Sequence, residues 1–212
     1  AGTFRGVPGN TSLARLSSVS RWTRATGQKR WLYLGLFSPT LVAGGCVVDL
    51  TYLASGFAFA FEKEGALLLD HHQMGPRLRQ AVPDSPVEGT AHFSLGGARV
   101  KIHSGAGQRR LMVRMGRGRQ RLQMDLEVED DGRQVQPLCA VTPLPGGRLS
   151  YTYKAAGLPV RGLVTLGDRP VELVDALAAV DYTHCLPEHQ TKWYWACAAG
   201  QTCSQGRCAA QC

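Results

Sequence analysis

Asp49 is the one charged residue between Leu41 and Phe61. A carboxylate among apolar side chains loses hydration, its pKa rises, and it can then donate a proton as a general acid. The competing role is structural: a carboxylate in water on an edge strand, or one paired with an arginine of the basic strip at residues 89–124. A second acid, Asp181, stands beside Tyr182 and upstream of Trp193 and Trp195. On a strand those two indoles share one face and form an apolar wall with polar edges, suited to an isoprenoid or acyl chain. The alternative is that they are core. Asp70-His71-His72, and His184-Cys185 with His189, bring metal-ligand residue types together. Adjacent strand residues point to opposite faces, so His71 and His72 do not share a metal. Pro187 breaks any helix that would align His184 with His189. No metal site and no cofactor is expected, and there is no nucleophile elbow, phosphate loop or zinc-protease helix.

The elements that must position these residues read as strands. Trp31, Tyr33 and Phe37 alternate with Leu32, Leu34 and Leu36, so both faces of that run are apolar. Cys46–Leu53 follows as a second run. Phe57–Glu62 and Ala66–Asp70 form a hairpin through Glu62-Lys63-Glu64-Gly65. Val100 and Ile102, then Leu111, Val113 and Met115, then Leu122, Met124, Leu126 and Val128 alternate with polar neighbours. Leu149–Lys154 and Val160–Leu166 are two more runs. Only Val171–Val180 reads as helix, with Asp168 as N-cap and Pro170 just inside; a strand to Val174 and one helical turn fits equally well. Short strands divided by Gly-rich turns imply an all-β fold, an antiparallel sandwich or barrel. No βαβ pattern supports a Rossmann enzyme.

The 212 residues, 44% of them hydrophobic, suffice for a core and exclude a disordered chain. The net charge of +8 is unevenly spread. Residues 89–124 carry eight basic side chains and no acid, and Asp125, Glu127, Glu129, Asp130 and Asp131 follow at once. Cross-strand pairing on a solvated sheet face accounts for this, so nucleic acid or an anionic membrane is the lesser reading. Five of the seven cysteines fall between Cys185 and Cys212, with no paired C-x-x-C knuckle. The odd count argues against a fully paired secreted framework. No secretory signal is visible, which suggests a cytoplasmic or organellar location. Leu41–Phe61 holds a charge, three glycines and a strand period, so no transmembrane segment is expected. The expected division is a flexible segment at 1–20, an antiparallel β domain at 21–196 and an irregular Cys-rich tail at 197–212.

Several motifs occur in order: Lys29-Arg30-Trp31-Leu32-Tyr33, Gly44-Gly45, Val48-Asp49-Leu50-Thr51-Tyr52-Leu53, Asp181-Tyr182-Thr183 and Thr191-Lys192-Trp193-Tyr194-Trp195-Ala196. This set resembles a large family of bacterial and lower-eukaryotic proteins whose domain is of unknown function, over about Arg21 to Gly200. It is more distantly similar to the lipocalin-type carotenoid hydratases and tocopherol cyclases. The resemblance implies a lipocalin-like barrel that binds a hydrophobic small molecule, an isoprenoid or lipid, with acid–base activity of the hydratase or isomerase type. It also implies further strands after Trp195, so that the fold is incomplete at the C-terminus. Asp49 and Asp181 are the candidate catalytic residues, and Tyr52, Tyr182, Trp193 and Trp195 the candidate ligand-binding ones. The other reading is an interaction module that uses the basic strip.

Overall fold

The computed structural model describes residues 2–4, 19–64, 68–77, 81–188, 200–201 and 207–208. Strand β1 (Gly2–Phe4) precedes the helix α1 (Arg21–Gly27), whose N-cap Ser20 accepts a hydrogen bond from the Thr23 N–H. A meander follows: β2 (Lys29–Phe37), β3 (Leu41–Asp49), β4 (Leu53–Glu62) and β5 (Leu68–Pro76). A second comprises β6 (Gly89–Leu95), β7 (Ala98–Gly105), β8 (Gln108–Met115) and β9 (Leu122–Glu129). Then come β10 (Leu138–Leu144), β11 (Arg148–Leu166), β12 (Arg169–Val171) and β13 (Leu177–Cys185). Two short strands, β14 (Gly200–Gln201) and β15 (Arg207–Cys208), pair with each other.

Strands β1–β13 form one antiparallel sheet in the order β5-β4-β3-β2-β13-β11-β9-β8-β7-β6, with β10 and β12 also on β11 and β1 on β10. The edge strands β5 and β6 lie against each other, so the sheet curls into a nearly closed barrel. The all-β expectation holds, and of its two forms, sandwich or barrel, the sheet takes the barrel. Its interior is filled. Leu32, Leu34, Leu36, Ala43 and Val47 face Val100, Ile102, Leu111, Val113 and Leu126, all at most 5% exposed. Burying each large aliphatic side chain contributes roughly 1.5–3 kcal/mol. Gly56 lets the walls meet, because a Cβ there would stand 2.5 Å from the Phe93 ring.

Several elements differ from their expected form. Val171–Val180 is not a helix: β12 ends at Val171 and β13 begins at Leu177. Ladders with β2 on one side and β11 on the other satisfy both edges of β13, which outweighs the local helix signal. The expected runs Leu149–Lys154 and Val160–Leu166 are one 19-residue strand, bulged between Ala156 and Leu158. It bends so that its first part pairs with β13 and its second with β9. Cys46–Leu53 is not one strand, since the chain turns at Leu50–Tyr52 with Thr51 at φ 77°. His71 and His72 lie inside β5 rather than at a strand end.

A buried charge cluster fastens β9 to β11. Arg109 donates to the Asp130 carboxylate through Nε (2.7 Å) and to Ser104 Oγ (2.9 Å). The Tyr153 hydroxyl donates to Asp130 at 2.9 Å, and the Arg109 guanidinium lies 5.2 Å from the Tyr153 ring centre. Burial, with Asp130 adding to it, pushes the Tyr153 hydroxyl pKa far up, so Tyr153 stays a donor. The Arg109 and Asp130 side chains are 2% and 3% exposed. Removing one charge strands the other without water, a loss of about 3–5 kcal/mol. Asp130→Asn is therefore expected to lower unfolding free energy by about that amount, and Tyr153→Phe by about 1.5–3 kcal/mol. Urea denaturation checks both; losses below about 0.5 kcal/mol would show that the cluster is not a fastener.

Candidate functional site

The outer face of the first meander is apolar where a solvated sheet would be polar. Register carries one rung across six strands: Lys154, Asp181, Tyr33, Cys46, Phe57 and His72. The next rung reads Thr152, Thr183, Trp31, Val48, Ser55 and Met74. Side chains of one rung point the same way. Between them lies a cavity of about 510 Å³, lined by Lys29, Trp31, Tyr33, Cys46, Val48, Leu50, Phe57, Phe59 and Asp181. Tyr33 lies flat on the sheet because Gly35 and Gly44 leave room; a Cβ on either would stand 2.5 Å and 2.9 Å from Tyr33 atoms.

The polar groups stand at the ends of this floor. Asp181 is 7% exposed and accepts a hydrogen bond from Lys154 Nζ at 2.7 Å. At the β5 end, Ser55 Oγ and His72 Nε2 are 2.9 Å apart. Burial raises the Cys46 thiol well above its ordinary value, and the Asp181 charge adds to that. The Cys185 thiol rises from 9.0 to about 12, again through burial, partly offset by the Lys29 charge. Neither thiol is a thiolate near neutral pH, so neither is a nucleophile at rest.

The two candidate acids do not share a site. Asp49 points inward with Val47 and is 1% exposed. Its Oδ1 accepts from the Thr51 N–H (2.9 Å), its Oδ2 from the Ala81 N–H (2.9 Å), and Arg77 stands 3.0 Å away. It thus holds the β3–β4 turn and the segment after β5, and it lines none of the cavities described. Its partner is thus an arginine, but Arg77 rather than one of the basic strip expected from the sequence. Tyr182 also faces inward: it is fully buried, donates to the Pro83 carbonyl at 3.0 Å and meets Tyr151 edge to face. Tyr52 is 68% exposed and lines a neighbouring basin of about 570 Å³ with Trp22, Gln28 and Arg148. Trp193, Trp195 and His189 lie outside the described residues. His184 is buried and bonded to Gln28 (2.8 Å), while His71 meets the Gln120 carbonyl. Among the described residues no group of three metal-ligand types converges. Sequence reasoning missed Trp31, Tyr33, Phe57 and Phe59 as a site. The available signal was that both faces of these strands are apolar.

Among the described residues, three of the eight basic side chains of the strip, those of Arg109, Arg110 and Arg121, pair with acids. Arg110 makes a two-pronged bond to Asp125 at 2.8 and 2.7 Å, and Arg121 pairs with Asp168; Arg161, outside the strip, bonds Glu127. The Arg110 bond holds the Asp125 carboxyl below its ordinary value. Pairs as exposed as these are screened by water and salt, so they set surface charge more than stability. No helix among the described residues is long and apolar enough to cross a membrane.

A family model described as a domain of unknown function (DUF2804) matches residues 1–210. The chain belongs to this family. The match extends beyond the Arg21–Gly200 stretch that carries the sequence resemblance. No curated protein matches the chain. Among solved structures, the fold is similar to a putative AttH from Nitrosomonas europaea, with 11% identity and a TM-score of 0.52 over 86% of this chain and 58% of that one. A crystal structure of kievitone hydratase from Nectria haematococca is 12% identical, with a TM-score of 0.48 over 85% and 55%. The chain therefore spans under two thirds of either neighbour's length. At such identity the likeness to the AttH structure bears on the fold alone.

Two measurements follow from this geometry. Asp49→Asn keeps shape but weakens the acceptor for two backbone N–H groups and Arg77, so unfolding free energy is expected to fall by about 2–4 kcal/mol. A change below about 0.5 kcal/mol in urea would exclude the anchoring role. Cys185 has a folded pKa above its unfolded one, so its stabilising contribution is complete below pH 9.0 and is lost as pH rises towards about 12. The urea midpoint is expected to drop across that window, with a shallower slope in Cys185→Ala. Equal slopes would remove Cys185 from the account.

Proposed function

We infer that the protein holds a hydrophobic small molecule, an isoprenoid or lipid, against the outer face of β2, β3 and β4. The observation that carries this reading is the 510 Å³ cavity, walled mainly by aromatic and aliphatic side chains and, among the described residues, by one carboxylate, that of Asp181. Apolar walls with one or two placed polar groups are the usual make-up of a small-molecule site. Lys154 orients the Asp181 carboxylate at the cavity edge. A fixed carboxylate beside an otherwise apolar ligand is what a hydration or isomerisation needs to move a proton, so Asp181 is the candidate catalytic residue. Asp49 takes the structural role.

The test is uptake of an apolar probe by the full chain after lipid extraction, read by native mass spectrometry. Wild type is expected to bind one molecule. Val48→Trp fills the cavity from an outward-facing position, so uptake should fall at least about tenfold while stability changes by only about 0.5 kcal/mol. Asp181→Asn should still bind and should lose any turnover. Absence of uptake by wild type, or undiminished uptake by Val48→Trp, would overturn the site.

A further inference from the structure

We propose that the ligand of this groove is an amphipathic carboxylate, with its anionic head on Lys29 and its apolar body across Trp31 and Tyr33. This rests on the groove being the ligand site, as inferred above. Lys29 is the first residue of β2 and lines both the apolar cavity and the neighbouring basin. It is half-buried, and among the described residues its ammonium makes no ion pair or hydrogen bond. The nearby acids are engaged elsewhere: Asp181 holds Lys154 at 2.7 Å, and Glu188 stands 3.8 Å from Arg148. The charge is nonetheless felt on this face, since Lys29 pairs in register with Cys185 and lowers its thiol pKa against the effect of burial.

A half-desolvated ammonium without a counter-charge is costly, and an incoming anion removes that cost. Lys29, Trp31 and Tyr33 succeed one another on the same face of β2. At about 3.3 Å per residue, the path from Lys29 to Tyr33 is about 13 Å. A carboxylate on the ammonium therefore sends its chain along the indole and over the flat Tyr33 ring. A cationic head would be repelled at this mouth. A neutral one would leave the ammonium unpaired.

Decanoate and 1-decanol separate the head group from the chain. Their dissociation constants are measured on the full chain by displacement of a fluorescent apolar probe at low salt. Wild type is expected to bind decanoate about tenfold or more tightly than decanol, the scale of one charge-assisted contact. Lys29→Gln should lose that preference with decanol affinity unchanged, and Lys29→Arg should keep it. Equal binding of the two by wild type, or a preference that survives in Lys29→Gln, overturns the head-group assignment and leaves the groove intact. Failure of both molecules to bind wild type overturns the groove itself. Retention of decanoate binding in Val48→Trp would place the anion elsewhere and also overturn the proposal.

Discussion

The insertion of β13 between β2 and β11 is the constraint on which the rest depends. The first meander, β2–β5, and the second, β6–β9, are each local in sequence. Only β13, together with the long β11, makes them one sheet. Both edges of β13 are hydrogen-bonded along nearly their whole length. Tyr182 and Val180 then fall on the inner side with the leucines of β2, and Asp181 falls on the outer side beside Tyr33. A slip of one residue would reverse this, placing a carboxylate in the core and a tyrosine in the groove. The core therefore fixes the register, and the register fixes the site.

A second consequence is the division of labour between the acids. Asp49 and Asp181 lie on neighbouring parts of one sheet, but on opposite faces. Inside, a carboxylate survives only with its lone pairs taken, and Asp49 has two backbone N–H donors and Arg77. Asp130 meets the same demand with Arg109 and Tyr153. Asp181 has its partner, Lys154, on the same outer face and stands beside open volume. Charge buried among hydrogen bonds fastens strands, whereas charge beside a cavity is available to a ligand.

Much of the fold was legible in the chain. Leu122–Glu129 alternates strictly and forms a strand with those bounds, because one of its faces is core and the other water. The acid-free basic stretch and the acids after it do meet across strands at Arg110, which pairs with Asp125 and Glu127. Legibility failed where local preference and long-range pairing disagree. Val171–Val180 reads as helix by its cap residues, yet it supplies the end of one strand and the start of another, since two unpaired ladders await it. The site was the least legible part: Trp31, Tyr33 and Phe57 look like core residues, and nothing local separates a core aromatic from one lining a groove.

The sequence by itself determined the period of the strands, the two-sided apolar character of β2 and β4, and the presence of isolated carboxylates in apolar runs. These are properties of neighbouring residues, and a period of two exposes them. Only the tertiary structure decided which apolar face is packed and which bounds a cavity, and so which carboxylate is structural and which faces open volume. The physical reason is that a strand apolar on both sides carries no internal mark of its inner face. That choice is made by volume: Leu32, Leu34 and Leu36 interlock with side chains from β7–β9, while the rings of Trp31 and Tyr33 stand on the other side.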